Sequence, residues 1–190
     1  MLCLKAPLPP GSLQTIWGDD NRFINTYFFK NNTSYFYKTF DFAEIDNEGY
    51  YYMLGRTDDV INVAGHRIGT RELEEALQLH ERVAETAVIG VQDKIKGQVP
   101  LAFIVKKEIA DFSENDDNTL REELNALITE ELGRFAKPKN MYFVPNLPKT
   151  RSGKLLRRAL QAICEGRDPG DLTTIEDNNV LEPIKKIFNF

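Results

Sequence analysis

The residue types best suited to chemistry gather in two stretches. One is Leu147-Pro148-Lys149-Thr150-Arg151-Ser152-Gly153-Lys154-Leu155-Leu156-Arg157-Arg158, inside a segment (134–158) with eight basic residues and no acid. The chain as a whole carries −5, so positive charge this concentrated points to an anionic ligand. Ser152-Gly153-Lys154 looks like the close of a phosphate-binding P-loop. That motif needs glycine five residues before its second glycine and Ser or Thr after the lysine. Pro148 and Leu155 occupy those places, which excludes it. A lysine on a Thr/Ser/Gly loop just before a helix can instead be delivered to a substrate from outside. For any single lysine of this kind, a solvated basic loop is the commoner case.

The second stretch runs Gly55-Arg56-Thr57-Asp58-Asp59-Val60-Ile61-Asn62-Val63-Ala64-Gly65-His66-Arg67-Ile68-Gly69. It holds three glycines, two arginines and two adjacent aspartates around a short apolar core. Charges of both signs beside permissive glycines suit a functional loop. An ordinary surface hairpin fits equally well, since adjacent aspartates are common in turns.

The elements that must position these stretches differ on the two sides of this boundary. Residues 1–18 are rich in Pro and Gly and read as irregular. Phe23–Lys30, Tyr35–Ile45 and Tyr50–Leu54 are rich in Phe, Tyr and Thr, with turn-forming clusters between them. That pattern predicts consecutive antiparallel strands, with more aromatic surface than three short strands can bury. Beyond residue 60 the sequence predicts a compact α+β domain. Thr70 caps a helix reaching His80, and Val83–Val91 and Val99–Lys106 are core strands. Residues 111–131 carry eight acids and end in a helix striped by Leu120, Leu124, Leu127, Ile128 and Leu132. The acids read as a solvated face. Met141–Val144 is a strand, Lys154–Ile163 a helix, 166–179 turn-rich, and a short helix ends at Phe190.

Composition limits the function classes. The 190 residues are 42% hydrophobic, enough for a core, and the acidic balance argues against a general nucleic-acid binder. Cys3 and Cys164 are too few for a disulfide framework or a cysteine metal site. With no apolar run of about 20 residues and no signal-peptide core, the expectation is a cytoplasmic protein without membrane or nucleic-acid partners.

Taken together, GRTDDVINVAGHRIG and, some eighty residues later, LPKTRSGKLLRR resemble the C-terminal part of AMP-forming acyl-CoA synthetases. CEGRDPGDLTTIED (164–177) and PLPPGSLQTIWGDD (7–20) are similar to the short-chain, propionate- and acetate-activating group. The resemblance covers nearly the whole chain. It implies a two-step ligase using a short-chain carboxylate, ATP and coenzyme A, with an acyl-adenylate between the steps and AMP released. It implies domains 1–57, a β-strand remnant of a large adenylation domain, and 58–190, a small mobile C-terminal domain. By motif position, Lys154 is the catalytic lysine of adenylation and Asp58 the hinge. Asp41 matches the aspartate holding the ribose hydroxyls, and Arg56 and Arg67 the arginines near ATP or AMP. Ala64 and Gly65 lie where a loop passes coenzyme A, and His80 where relatives can place Mg2+. Phe40 departs from the pattern, many relatives having glycine before the ribose aspartate.

These roles fit the physical chemistry. Phosphoryl transfer needs charge stabilisation more than covalent help, and a mobile ammonium supplies it. Arginines bind phosphate or ribose oxygens with directed donors. The resemblance also implies a Ser/Thr/Gly-rich ATP loop and an acyl pocket, and residues 1–190 contain neither. The expectation is therefore a fragment that lacks its large N-terminal domain and is inactive alone, with a sticky aromatic face over residues 22–54. A stand-alone binding or regulatory module using residues 134–158 is the alternative.

Overall fold

In a computed structural model, which describes residues 1–107 and 117–190, the run expected as a strand over Phe23–Lys30 is mostly helical. Helix α1 spans Asp20–Tyr27, and strand β2 takes only Phe28–Asn31. The Asp19 carboxylate accepts from the Arg22 N–H, and Asp20 adds an acid to the first turn. Both features start helices. Phe23 and Tyr27 stand one turn apart with ring centroids 5.3 Å from each other, and Phe23 is buried. Aromatic richness does not separate a strand from a helix face lined with rings; the cap does.

The chain divides into two units, Met1–Asp58 and Asp59–Phe190. In the first, strand β1 (Cys3–Lys5) lies within the stretch expected to be irregular. Strand β3 (Ser34–Lys38) pairs antiparallel with both β1 and β2. The single strand expected over Tyr35–Ile45 is broken, because Phe40 takes a left-handed conformation with φ of 62°. Its second half, β4 (Asp41–Ile45), forms a separate antiparallel ribbon with β5 (Tyr51–Arg56). Tyr50, Tyr51, Tyr52, Met53 and Leu54 are all exposed along that ribbon.

The second unit is an α+β domain. Strands β6 (Val60–Val63) and β7 (His66–Gly69) form a hairpin, followed by α2 (Thr70–Gln78), β8 (Val83–Asp93) and β9 (Gly97–Lys106). Then come α3 (Asp117–Glu131), β10 (Asn140–Phe143), α4 (Arg157–Cys164) and α5 (Leu181–Phe188). Strand β9 is central: β8 runs antiparallel along it, β10 parallel over Leu101–Ile104, and β6 meets it at Gly97. Three expectations shift here. Gly69, not Thr70, caps α2, and Thr70 is buried with its N–H given to the Asp59 carbonyl. Helix α4 starts at Arg157, which leaves Lys154 on the preceding turn. Of the eight acids, Asp111, Glu114 and Asp116 lie outside the described residues.

Both faces of this sheet are covered. Val88, Ala102 and Ile104 pack with Leu73 and Leu77 of α2 and with Leu120, Leu124 and Ile128 of α3. On the alternate positions, Ile89, Leu101 and Phe103 pack with Leu160 and Ile163 of α4 and with Leu181 and Ile184 of α5. Two covered faces explain why β8 and β9 read as near-continuous apolar runs rather than alternating ones. Burying each such Leu or Ile is worth roughly 1.5–3 kcal/mol.

Candidate functional site

Lys154 is exposed at the end of a closed turn. Thr150 N–H donates to the Lys154 carbonyl at 2.8 Å, Gly153 N–H to the Thr150 carbonyl at 2.8 Å, and Lys154 N–H to Thr150 Oγ1 at 3.1 Å. The turn needs a left-handed residue, which Gly153 supplies with φ of 80°. Lys149 bridges to Leu155, and Thr150 to Ile175, so the turn is anchored on two sides. The backbone is fixed while the four-carbon stem carries an ammonium into solvent. Such a group is built to be presented rather than to pack.

The basic segment around it is not one continuous patch. Lys139 pairs with Asp93 at 2.9 Å, Lys149 with Glu85 at 2.6 Å, and Arg157 with Glu74 at 2.7 Å. The lysine turn stands out within 134–158 because structure, rather than composition alone, holds it.

In the hairpin, Ala64 and Gly65 are the two turn residues, with φ of 50° and 91°. This mirror-image turn matches the twist of the strands it joins. Asn62 Oδ1 accepts from Gly65 N–H at 3.1 Å, and the Lys96 carbonyl accepts from Ala64 N–H at 2.8 Å. Arg67 is exposed on β7, opposite Asn62 in register. His66 stacks on Phe135 with centroids 4.4 Å apart, giving the turn an aromatic flank that sequence reasoning missed. Phe135 sits in a short 3-10 turn (134–136) distant in sequence, so only the tertiary fold reveals the pair.

Asp41, Arg56 and Asp58 come together in the first unit. Strand register sets Asp41 opposite Arg56. Arg56 Nε lies 2.8 Å from Asp58 Oδ1, and Arg56 Nη1 lies 3.8 Å from Asp41 Oδ1. The guanidinium also sits over the Phe40 ring at 5.9 Å. All three charged side chains are substantially exposed, so the pairing adds little stability and mainly orients the groups. Phe40 carries the conformation that glycine would adopt without strain, one residue before Asp41.

His80 is engaged by neighbouring protein groups. Its Nδ1 accepts from the Arg82 N–H at 3.3 Å, and its Nε2 lies 3.3 Å from Glu123 Oε2, beside the Arg82 guanidinium. One carboxylate shared with a guanidinium is not the oxygen-rich shell that Mg2+ demands. Among the described residues, no three His, Cys, Asp or Glu side chains gather to hold a metal.

A further cluster went unpredicted. Glu74 on α2 is 8% exposed; its carboxylate accepts from Val88 N–H at 2.8 Å and from Arg157 Nη2 at 2.9 and 2.7 Å. Burial pushes the Glu74 carboxyl above its ordinary range, against the opposing pull of the Val88 N–H and Arg157. Arg157 Nη1 lies 3.8 Å from Asp59 Oδ2. The sequence signal for this cluster is the Arg157-Arg158 pair opening a helix, where cations are out of place.

Solved structures of similar fold are adenylate-forming enzymes. Residues 72–154 match the family described as the AMP-binding enzyme C-terminal domain. The chain is 53% identical to the propionate–CoA ligase of Salmonella typhimurium, over 98% of this chain and 30% of that protein. It is 44% identical to the acetyl-coenzyme A synthetase of Helicobacter pylori, over 98% of this chain and 28% of that protein. The chain thus spans about 30% of the length of the first of these relatives. Among solved structures, an ATP-bound RpMatB-BxBclM chimera matches with a TM-score of 0.67 and 30% identity, over 78% of this chain and 28% of that one. The anthranilate CoA ligase AuaEII, in complex with anthranoyl-AMP, matches with a TM-score of 0.60 and 32% identity, over 74% of this chain and 26% of that one. No helix among the described residues is long and apolar enough to cross a membrane.

Proposed function

We propose that this chain is the part of a short-chain AMP-forming acyl-CoA ligase that supplies the adenylating lysine and the hinge, and that it works in the cytoplasm. In the first step, an oxygen of propionate or acetate attacks the α-phosphorus of ATP, and the bond to pyrophosphate breaks. In the second, the thiol of coenzyme A attacks the acyl carbon of the adenylate; AMP leaves, and the thiol proton passes to solvent. The observation that carries this reading is the fixed turn presenting the Lys154 ammonium. Lys154 neutralises the carboxylate and phosphate oxygens as they approach. Asp41 accepts from the ribose hydroxyls, while Arg56 and Arg67 donate to nucleotide oxygens. The Ala64-Gly65 turn, with little side-chain bulk, lets the pantetheine arm of coenzyme A pass close to backbone. Asp58 is the hinge, a reading supported by the boundary between units after that residue. The rest of a complete enzyme provides the acyl pocket and the phosphate loop, and the exposed ribbon of Tyr50–Leu54 supports that arrangement.

The test is ATP–pyrophosphate exchange by a chimera in which the preceding part of the Salmonella relative is joined to this chain. Exchange dependent on propionate or acetate is expected, abolished by Lys154→Ala, with thioester formation from supplied acyl-adenylate largely preserved. Equal loss of both half-reactions removes Lys154 from its assigned role. A folded chimera without exchange removes the ligase reading.

A further inference from the structure

Arg157 is placed where a helix gains nothing from it. It is the first residue of α4, whose N-cap, Leu156, makes no side-chain capping bond, and the first turn holds no acid. A second cation, Arg158, follows. Helix N-termini repel cations, so the local preference is broken twice. Broken local rules mark either a compensated cost or a functional site.

As a stabilising device, the arrangement is poor. Glu74 and Arg157 lose solvation on pairing, and replacing such pairs with apolar groups is often neutral or favourable. The Arg157 Nε–H is buried without a partner among the described residues, a further cost. What the arrangement provides is geometry. Arg157 Nη2 donates to both Glu74 oxygens, and Glu74 is itself held by the β8 backbone at Val88. Arg157 Nη1 faces Asp59, whose carbonyl takes the Thr70 N–H at the start of α2. A planar guanidinium with several partners fixes direction, which an ammonium cannot do.

The turn before it is pinned at its far end by the Thr150–Ile175 bridge and by Arg151 N–H donating to the Thr174 carbonyl. Its near end is tied by the Lys149–Leu155 bridge and by Leu156 N–H donating to the Pro148 carbonyl at 2.9 Å, and Arg157 follows at once. We propose that Arg157 is a positioning residue for Lys154, registering the lysine turn against Glu74 and against the segment that follows Asp58. This rests on the adenylating role of Lys154, and its test separates the two.

In the chimera, Arg157→Gln is expected to slow adenylation about 100-fold, the scale on which a misplacement of about 1 Å acts. KM for ATP should stay within about threefold, the signature of an interaction lost in the transition state. Thioester formation from supplied acyl-adenylate should persist. Arg157→Lys should recover part of the rate at most. The double variant Glu74→Gln with Arg157→Met removes both charges and keeps an acceptor for Val88 N–H. It should restore the melting temperature without restoring adenylation; recovery of both would make the pair purely structural and overturn the proposal. The 190-residue chain alone supplies a readout independent of activity. By hydrogen exchange, Arg157→Gln should open the amides of residues 150–156 while β8 and β9 keep their protection. Unchanged exchange at 150–156 overturns the proposal. If the unsubstituted chimera is inactive, the ligase reading falls, and the exchange result still decides whether Arg157 positions the turn.

Discussion

Gly153 isolates the contribution of backbone conformation to the lysine turn. Its φ is 80°, and a Cβ built there meets nothing within 4 Å. Gly153→Ala therefore adds no clash, and the whole perturbation is torsional, roughly 1–2 kcal/mol for an L-residue forced left-handed. The less flexible unfolded chain returns about 0.4–1 kcal/mol. A net cost near 1 kcal/mol remains, and the turn can meet it in two ways. If the turn keeps its shape, the melting temperature falls by about 2–4 °C in a chain of this size. If it relaxes, Lys154 moves, and restoring its place in the transition state slows adenylation about five- to tenfold. Asparagine tolerates the left-handed region and should cost least, whereas β-branched valine should cost most. Thermal melts of the chain and pyrophosphate exchange by the chimera, run on the Asn, Ala and Val variants, measure both routes. The series should order as Gly, Asn, Ala, Val in the sum of the two effects. Val no worse than Ala, or Ala indistinguishable from Gly in both assays, would refute the strain argument.

Other outcomes follow from the packing and the charges. Leu124→Ala, at a fully buried site, should destabilise by about 3 kcal/mol, and Leu127→Ala, half-buried on the same helix, by about 1 kcal/mol. Denaturant midpoints distinguish them, and equal losses would misplace the stripe. Lys139, with the Lys96 and Ile95 N–H groups, holds the Asp93 carboxyl well below the usual carboxylate range. Its folded value lies below the unfolded 3.8, so its contribution is present above that pH and is lost as pH falls further. Asp93→Asn should therefore lower the melting temperature at neutral pH, and the deficit should begin to shrink below pH 3.8 and be only partly gone at about pH 2. Burial pushes the Cys164 thiol up to about 12, so at pH 8 a thiol reagent should label Cys3 well before Cys164. Equal labelling rates would show that α4 opens readily.

The sequence made the second unit legible because its signals are redundant. Val83–Val91 and Val99–Lys106 are long β-branched runs, and Leu120, Leu124 and Ile128 repeat at helical spacing, so period and length agree. The first unit was harder. Phe23 and Tyr27 suit a strand and a helix equally, and the deciding group was the Asp19 cap outside the run. The break at Phe40 was not legible from the residue itself, because a phenylalanine does not advertise a left-handed backbone; only the resemblance, with glycine at that place, pointed to a turn there. In the candidate site, Lys154 and the Ala64-Gly65 turn were readable as local motifs. The contacts Glu74–Arg157 and His66–Phe135 were not, since they join residues 83 and 69 positions apart, respectively (157 − 74 and 135 − 66), and nothing local encodes which acid meets which base.

The two covered faces of the β9-centred sheet bear on how such a protein changes over evolutionary time. The hairpin presenting Ala64 and Gly65 rests its Ile61, Val63 and Ile68 in one packing layer. The segment carrying Lys154 rests Leu155 and Leu156 in the other. Drift in the size of side chains on one face is absorbed there, before it reaches the loop seated on the opposite face. A lineage could then retune the turn proposed to meet the thiol substrate while leaving the lysine proposed to meet the phosphate where it was. Such independence ends at the Glu74–Arg157 contact, where a helix from one layer grips a helix from the other. Substitutions that alter either partner should therefore arise in pairs.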